Sequence, residues 1–128
     1  MHGNHLFEYA VIRIVPRVER EEFLNVGVVL YCADQKFLQA MFSLNETRLK
    51  AFSPHINLEQ LEAHLCVFRQ ICLGDGQAGP IGQLPIAERF RWLTATRSTV
   101  IQTSGVHPGL CENAHAMLVK LYEQLVLD

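Results

Sequence analysis

Four groupings of residues in this sequence have the types and spacing to do chemistry. The segment ERFRWLTATRST, Glu88 to Thr99, sets Arg89, Arg91 and Arg97 around Trp92, the only tryptophan, with Ser98 and Thr99 close behind. Guanidinium forks match the oxygens of phosphates and carboxylates, and arginine with tryptophan is a frequent anchor pair in interfaces. Three cations against one carboxylate, Glu88, make the segment locally positive. His107, a few residues downstream, can join the same patch if the chain turns back. The competing reading has Phe90, Trp92 and Leu93 in the core with the arginines merely flanking them, and both readings stay open at this point.

The connector PRVEREEF, Pro16 to Phe23, is the second grouping, with five charges in the six residues from Arg17 to Glu22. Alternating signs on a connector ordinarily form solvated ion pairs worth under about 1 kcal/mol each. The functional reading is a polar lip at the end of a sheet, where Arg17 and Glu19 contact a ligand or partner. Third, His107, Cys111 and His115 recur every four residues, the spacing of metal ligands on a helix. Pro108 and Gly109 interrupt that helix, so no metal is assigned. A Cys111–His107 nucleophile pair lacks a third, orienting group. Fourth, Gly74, Gly76 and Gly79 have the G-x-G-x-x-G spacing of a dinucleotide site. Such a site needs a strand before the glycines and a helix after them. Here they follow a helical pattern and run into a proline, so a surface loop over Gly74–Pro85 is predicted and no cofactor is assigned.

The elements that position these groups are legible in the hydrophobic pattern. Leu6–Val15 is rich in β-branched and aromatic residues and stops at Pro16, which reads as a strand. Phe7, Tyr9, Val11 and Val15 share one face with Arg13, and Ala10, Ile12 and Ile14 the other, which predicts a central position. Asn25–Cys32 is a second strand, apolar on both sides, and the turn Ala33-Asp34-Gln35 joins it to a third, Phe37–Leu44, as an antiparallel hairpin. Gly27 predicts a bulge or a close backbone approach. A short helix follows over Asn45–Phe52, stopped by Ser53-Pro54.

Leu58, Leu61, Leu65, Phe68 and Cys72 then repeat at three and four, the stripe of an amphipathic helix. Asn57 is its N-cap and Gly74 its left-handed terminator. Another helix is predicted over Pro85–Ala95 with Phe90 and Leu93 inward, then a strand over Ser98–Thr103. A turn-rich link through Ser104-Gly105 and Pro108-Gly109 follows, and a last helix over Cys111–Leu127. The fold class is α+β: a mostly antiparallel sheet of about four strands, three N-terminal and one late, with three to four helices packed on it. The Phe37–Leu44 strand carries no charge or proline to protect an open edge, which predicts a homodimer or a heteromeric complex.

Composition bounds the partners. At 128 residues the chain fits one domain, 1–128, able to bury a core without metal or disulfide. Its net charge of −2 argues against a nucleic-acid partner bound through phosphate neutralisation. The longest uncharged apolar stretch, Leu24–Ala33, is half the length of a membrane span, so no membrane role is expected. Four cysteines with no C-x-x-C pair point to a reducing, cytoplasmic setting.

Three strings carry a resemblance: YAVIRIVPRVEREEFLNVGVVLYC from Tyr9, GPIGQLPIAERFRWLTATRSTVIQTS, and the VHPGL that follows. They resemble a family of small bacterial proteins known only as domain-of-unknown-function family 3037, with ATRS standing where a proline is common. The resemblance covers nearly the whole chain and implies no reaction, cofactor or catalytic residue. It does imply a partner, because relatives are often encoded beside HipA-like kinases. The expectation is a non-catalytic interaction or accessory domain of a bacterial cytoplasmic system, with a HipA-like kinase as the implied partner. The alternative is a small enzyme acting on a phosphorylated or nucleic-acid substrate. There Arg89, Arg91 and Arg97 would bind the anion, and His107 or Glu19 would serve as general acid or base.

Overall fold

The computed structural model describes residues 4–74, 76–97 and 99–127. Strands β1 (His5–Ile14), β2 (Leu24–Cys32) and β3 (Phe37–Phe42) form an antiparallel meander in the order β3-β2-β1. Helices α1 (Glu46–Phe52), α2 (Leu58–Leu73), α3 (Gly79–Gly82) and α4 (Ile86–Leu93) follow. The chain then returns as β4 (Ile101–Thr103) and β5 (His107–Cys111) and ends in α5 (Ala114–Tyr122) with a π-helical turn, Glu123–Leu127. The class is α+β with an antiparallel sheet.

The sheet has five strands rather than four, because β4 and β5 share one side of β1. Ile101 to Thr103 pair with Ile14 to Ile12, and His107 to Cys111 with Tyr9 to His5. Between them the ladder is carried by Ser104. Its amide donates to the Val11 carbonyl at 2.8 Å and its hydroxyl accepts from the Val11 amide at 2.8 Å. The latter part of the segment read as a turn-rich link, from His107 on, is therefore a strand. Pro108 hid it: an edge strand has one side with no ladder to feed, and proline is tolerated there.

Both faces of β1 are covered, as its two apolar faces predict. Ala10, Ile12 and Ile14 pack with Leu61, Leu65 and Phe68 of α2 and with Phe90 and Leu93 of α4. Phe7 packs with Val28, Leu30 and Cys32 of β2 and with Ala114, Leu118 and Tyr122 of α5. Gly27 serves both predicted roles. The β1–β2 register shifts beside it, and a Cβ there would stand 2.5 Å from the Met41 carbonyl oxygen.

Helix ends follow their caps. Asn45, Asn57 and Asn113 each accept a backbone N–H three residues on, and Gly74 ends α2 at φ 72°. Several boundaries differ from the sequence pattern: β3 ends at Phe42 rather than Leu44, β4 begins at Ile101 rather than Ser98, and α4 ends at Leu93 rather than Ala95. Pro85 is the N-cap of α4 rather than its first helical residue, and the final helix begins at Ala114 because Cys111 belongs to β5. The predicted loop after Gly74 is partly ordered, with a 3-10 turn at Gly76–Ala78 and α3, which Pro80 starts. Ala78 and Ile81 pack on the core from there.

Candidate functional site

The arginine segment splits into three directions. Arg91 leaves α4 toward β1 and binds Glu8 through both guanidinium arms, at 2.7 and 2.9 Å. That hydrogen bond pushes the Arg91 pKa up. Arg89 turns to the far end of α2, where a Cβ on Gly74 would come within 2.2 Å of its Nη1. Glycine at that position leaves the guanidinium room over the helix C-terminus, whose partial negative charge suits a cation. Arg97 folds back on its own helix: it donates to the carbonyls of Leu93 and Trp92, and its guanidinium lies 4.3 Å above the Trp92 ring. Burial pulls its pKa down.

His107 does not join them. It pairs with Tyr9 across the β1–β5 ladder, its ring 5.3 Å from the tyrosine ring, on the face opposite Glu8 and Arg91. The alternation of a strand forces this separation, since neighbours 8 and 9 point to opposite faces. Ser98 falls outside the described residues.

A different surface brings part of the predicted set together. A cleft of about 940 Å3 lies where α2, the end of α4, the start of β4 and the corner after β1 meet. Trp92 and Arg97 line it from one element and Arg17 from another, along with Val18, Thr99 and Val100. The floor is Leu61, Phe68, Ile71, Leu93 and Ile101. Helix α2 supplies a wall of Gln60, His64 and Val67, spaced by four and three so that they share one side of the helix. Asn57, the cap of α2, and His55 just before it also line the cleft.

Two features set this cleft apart from the rest of the surface. Val18, Val67, Trp92 and Val100, each at least 40% exposed, all border it. It is also free of carboxylates among its described lining residues, which include two arginines and two histidines. Glu59 and Glu62 of α2 are exposed outside it. Glu19 stands beyond the lining as well and bonds Arg17 Nε at 2.9 Å. Its own backbone hydrogen bond, then that of Arg17, holds the Glu19 carboxyl below its ordinary value.

His55, His64, Gln60 and Val67 escaped the sequence reading. For Gln60, His64 and Val67 the signal was a second stripe on α2 beside the core stripe, interrupted by no acid. The spacing of His107, Cys111 and His115 yields no cluster, because Cys111 is buried against α5 while His115 packs edge-on to Phe37. Among the described residues no group of three His, Cys, Asp or Glu side chains is placed to hold a metal ion.

Residues 9–126 match the family model described as Protein of unknown function (DUF3037). The chain belongs to this family. The match takes in β1 from Tyr9 onward, both walls of the cleft and the whole arginine segment, so the cleft lies within the residues matched to DUF3037. No curated protein matches the chain, and no solved structure does. No described helix of this DUF3037 member is long and apolar enough to cross a membrane.

Proposed function

We propose that the chain is a non-catalytic interaction domain, an accessory part of a bacterial cytoplasmic assembly, and that the cleft is its working surface. The observation that supports this most is the gathering of exposed Val18, Val67, Trp92 and Val100 around one apolar floor. Exposed apolar side chains scattered singly need no partner, whereas a contiguous group bordered by polar residues marks a contact surface. At the rim the hydroxyl of Thr99 donates to the Ile101 carbonyl at 2.8 Å. A HipA-like kinase is the partner the family resemblance suggests, and Arg17, Trp92 and Arg97 are the predicted contact residues within the cleft.

Photo-crosslinking in the native host tests this. A benzophenone side chain at Gln60 in the cleft wall is compared with one at Lys120, exposed on α5. A protein adduct from position 60 and not from 120, identified by mass spectrometry, supports the reading. The same adducts from both positions, or none from 60, would sink it. Phosphatase or nuclease activity lost on substituting His55 or His64 would move the assignment to the enzyme alternative.

A further inference from the structure

The charge of the cleft says what kind of partner fits it, provided that the cleft is a partner-binding surface. We infer that it takes an acidic amphipathic segment, whose apolar side chains fill the floor and whose carboxylates meet the rim. The chain as a whole has more acids than bases, thirteen Asp and Glu against eleven Lys and Arg. Against that background the described lining contains Arg17, Arg97, His55 and His64 and no carboxylate at all. An anionic occupant finds cations in that lining and no carboxylate, with Glu19 beyond it on Arg17, while a basic one would bury its charge unpaired.

The two arginines differ in how far their charge is already engaged. Arg17 gives its Nε to Glu19, an exposed pair. Arg97 spends its bonds on backbone carbonyls, and no acid among the described residues is bonded to it. Contact with Trp92 holds that guanidinium over the ring, 4.3 Å from its centre, and beside the apolar floor. This places a fixed cation next to a hydrophobic seat, the combination that an amphipathic acid requires. The volume, about 940 Å3, is enough for several large side chains of one segment and lies at the upper end of ordinary ligand pockets, about 300–1,000 Å3.

Synthetic peptides of about four helical turns provide the test. Two contain Glu with Leu and Phe, one with the apolar residues at helical spacing and one with them alternating. Two counterparts replace every Glu by Lys. Trp92, the sole tryptophan and a cleft residue, reports binding by its fluorescence. At least one acidic peptide should bind, its Lys counterpart at least tenfold more weakly, with affinity falling as salt rises. Arg17→Glu and Gln60→Glu, both exposed positions, should each weaken it about fivefold or more. The inference is overturned if neither acidic peptide binds, if the Lys peptides bind equally well, or if both substitutions are silent. A cleft-specific adduct at position 60 together with peptide failure would reject the acidic segment and keep the interaction domain. Loss of both results would reject the two together.

Discussion

Arg91 of α4 grips Glu8 of β1 through two parallel hydrogen bonds, Nη1 to Oε2 at 2.9 Å and Nη2 to Oε1 at 2.7 Å. The pair pins the short helix to the central strand, close to where Phe90 of the same turn stacks on Tyr31 of β2. Arg91 is absent from the cleft lining and its guanidinium is engaged by Glu8 instead. Its side chain is about half exposed, which limits the pair to roughly 0.5–1 kcal/mol even with two-armed geometry. Arg91→Ala should therefore lower the melting temperature by about 2–5 °C and leave binding at the cleft intact. A binding loss at unchanged stability would return Arg91 to the working surface.

Arg97 behaves differently, because it belongs to the helix end and to the cleft at once. Its bonds reach the Leu93 carbonyl at the end of α4 and add a second donor to the Trp92 carbonyl, which also accepts from the Ala95 amide at 3.4 Å. Arg97→Ala should cost about 1–2 kcal/mol and expose the Trp92 ring to acrylamide quenching. Arg97→Lys keeps the charge and loses the planar fork, so quenching should rise there too. Equal quenching in all three proteins would show that the stack contributes nothing to the ring's surroundings.

Glu19 offers a test with the opposite sign. It is the acid bonded to Arg17, and Glu19→Gln removes its charge at an exposed site with little structural cost. An anionic occupant should then bind about twofold more tightly at low salt, with the advantage gone at high salt. Weaker binding would mean that Glu19 itself contacts the partner.

The sheet and its two apolar faces were legible because β1 and β2 are apolar at consecutive positions, which only a doubly covered strand tolerates. Strand β5 was not, since Pro108 and Gly109 are turn residues by local chemistry and become a strand only through pairing with β1. The site was partly legible. Arg17, Trp92 and Arg97 do meet in one cleft, yet Arg89, Arg91 and His107 lie elsewhere, because proximity in sequence does not fix side-chain direction across a helix and a strand. His64 and Gln60 are unremarkable on an amphipathic helix, and His55 on the turn before it, until β4 and the Arg17 corner close around them.

Gly27 tests the packing that supports this arrangement. A methyl group there would meet the Met41 carbonyl oxygen at 2.5 Å and the Phe42 Cβ at 2.7 Å. Backbone cannot swing aside as a side-chain tip does, so β3 would have to move away from β2. Gly27→Ala should cost about 2 kcal/mol or more, measured by denaturant unfolding, with protection of the β3 amides from exchange falling first. A neutral substitution would place the hairpin register elsewhere.

The cysteines supply a prediction that depends on pH. Cys66 is exposed on α2, while Cys32, Cys72 and Cys111 are buried. Burial pushes the Cys72 thiol up to about 12 from an ordinary value of 9.0, against the opposing pull of the Arg89 charge. Alkylation of the native protein at neutral pH should therefore modify Cys66 first, and the other three only on unfolding. The raised value also fixes a direction for stability. Above about pH 9 the unfolded chain releases a proton that folded Cys72 retains until about pH 12, so stability contributed by the neutral buried thiol declines through that window. Cys72→Ala should be less stable at pH 7, because it leaves a small void, yet should lose less stability between pH 9 and 12 than the parent protein. An unchanged alkaline slope in that variant, or alkylation of Cys72 as fast as Cys66, would show that the thiol is open to water and that α2 does not pack on the sheet as closely as its buried face indicates.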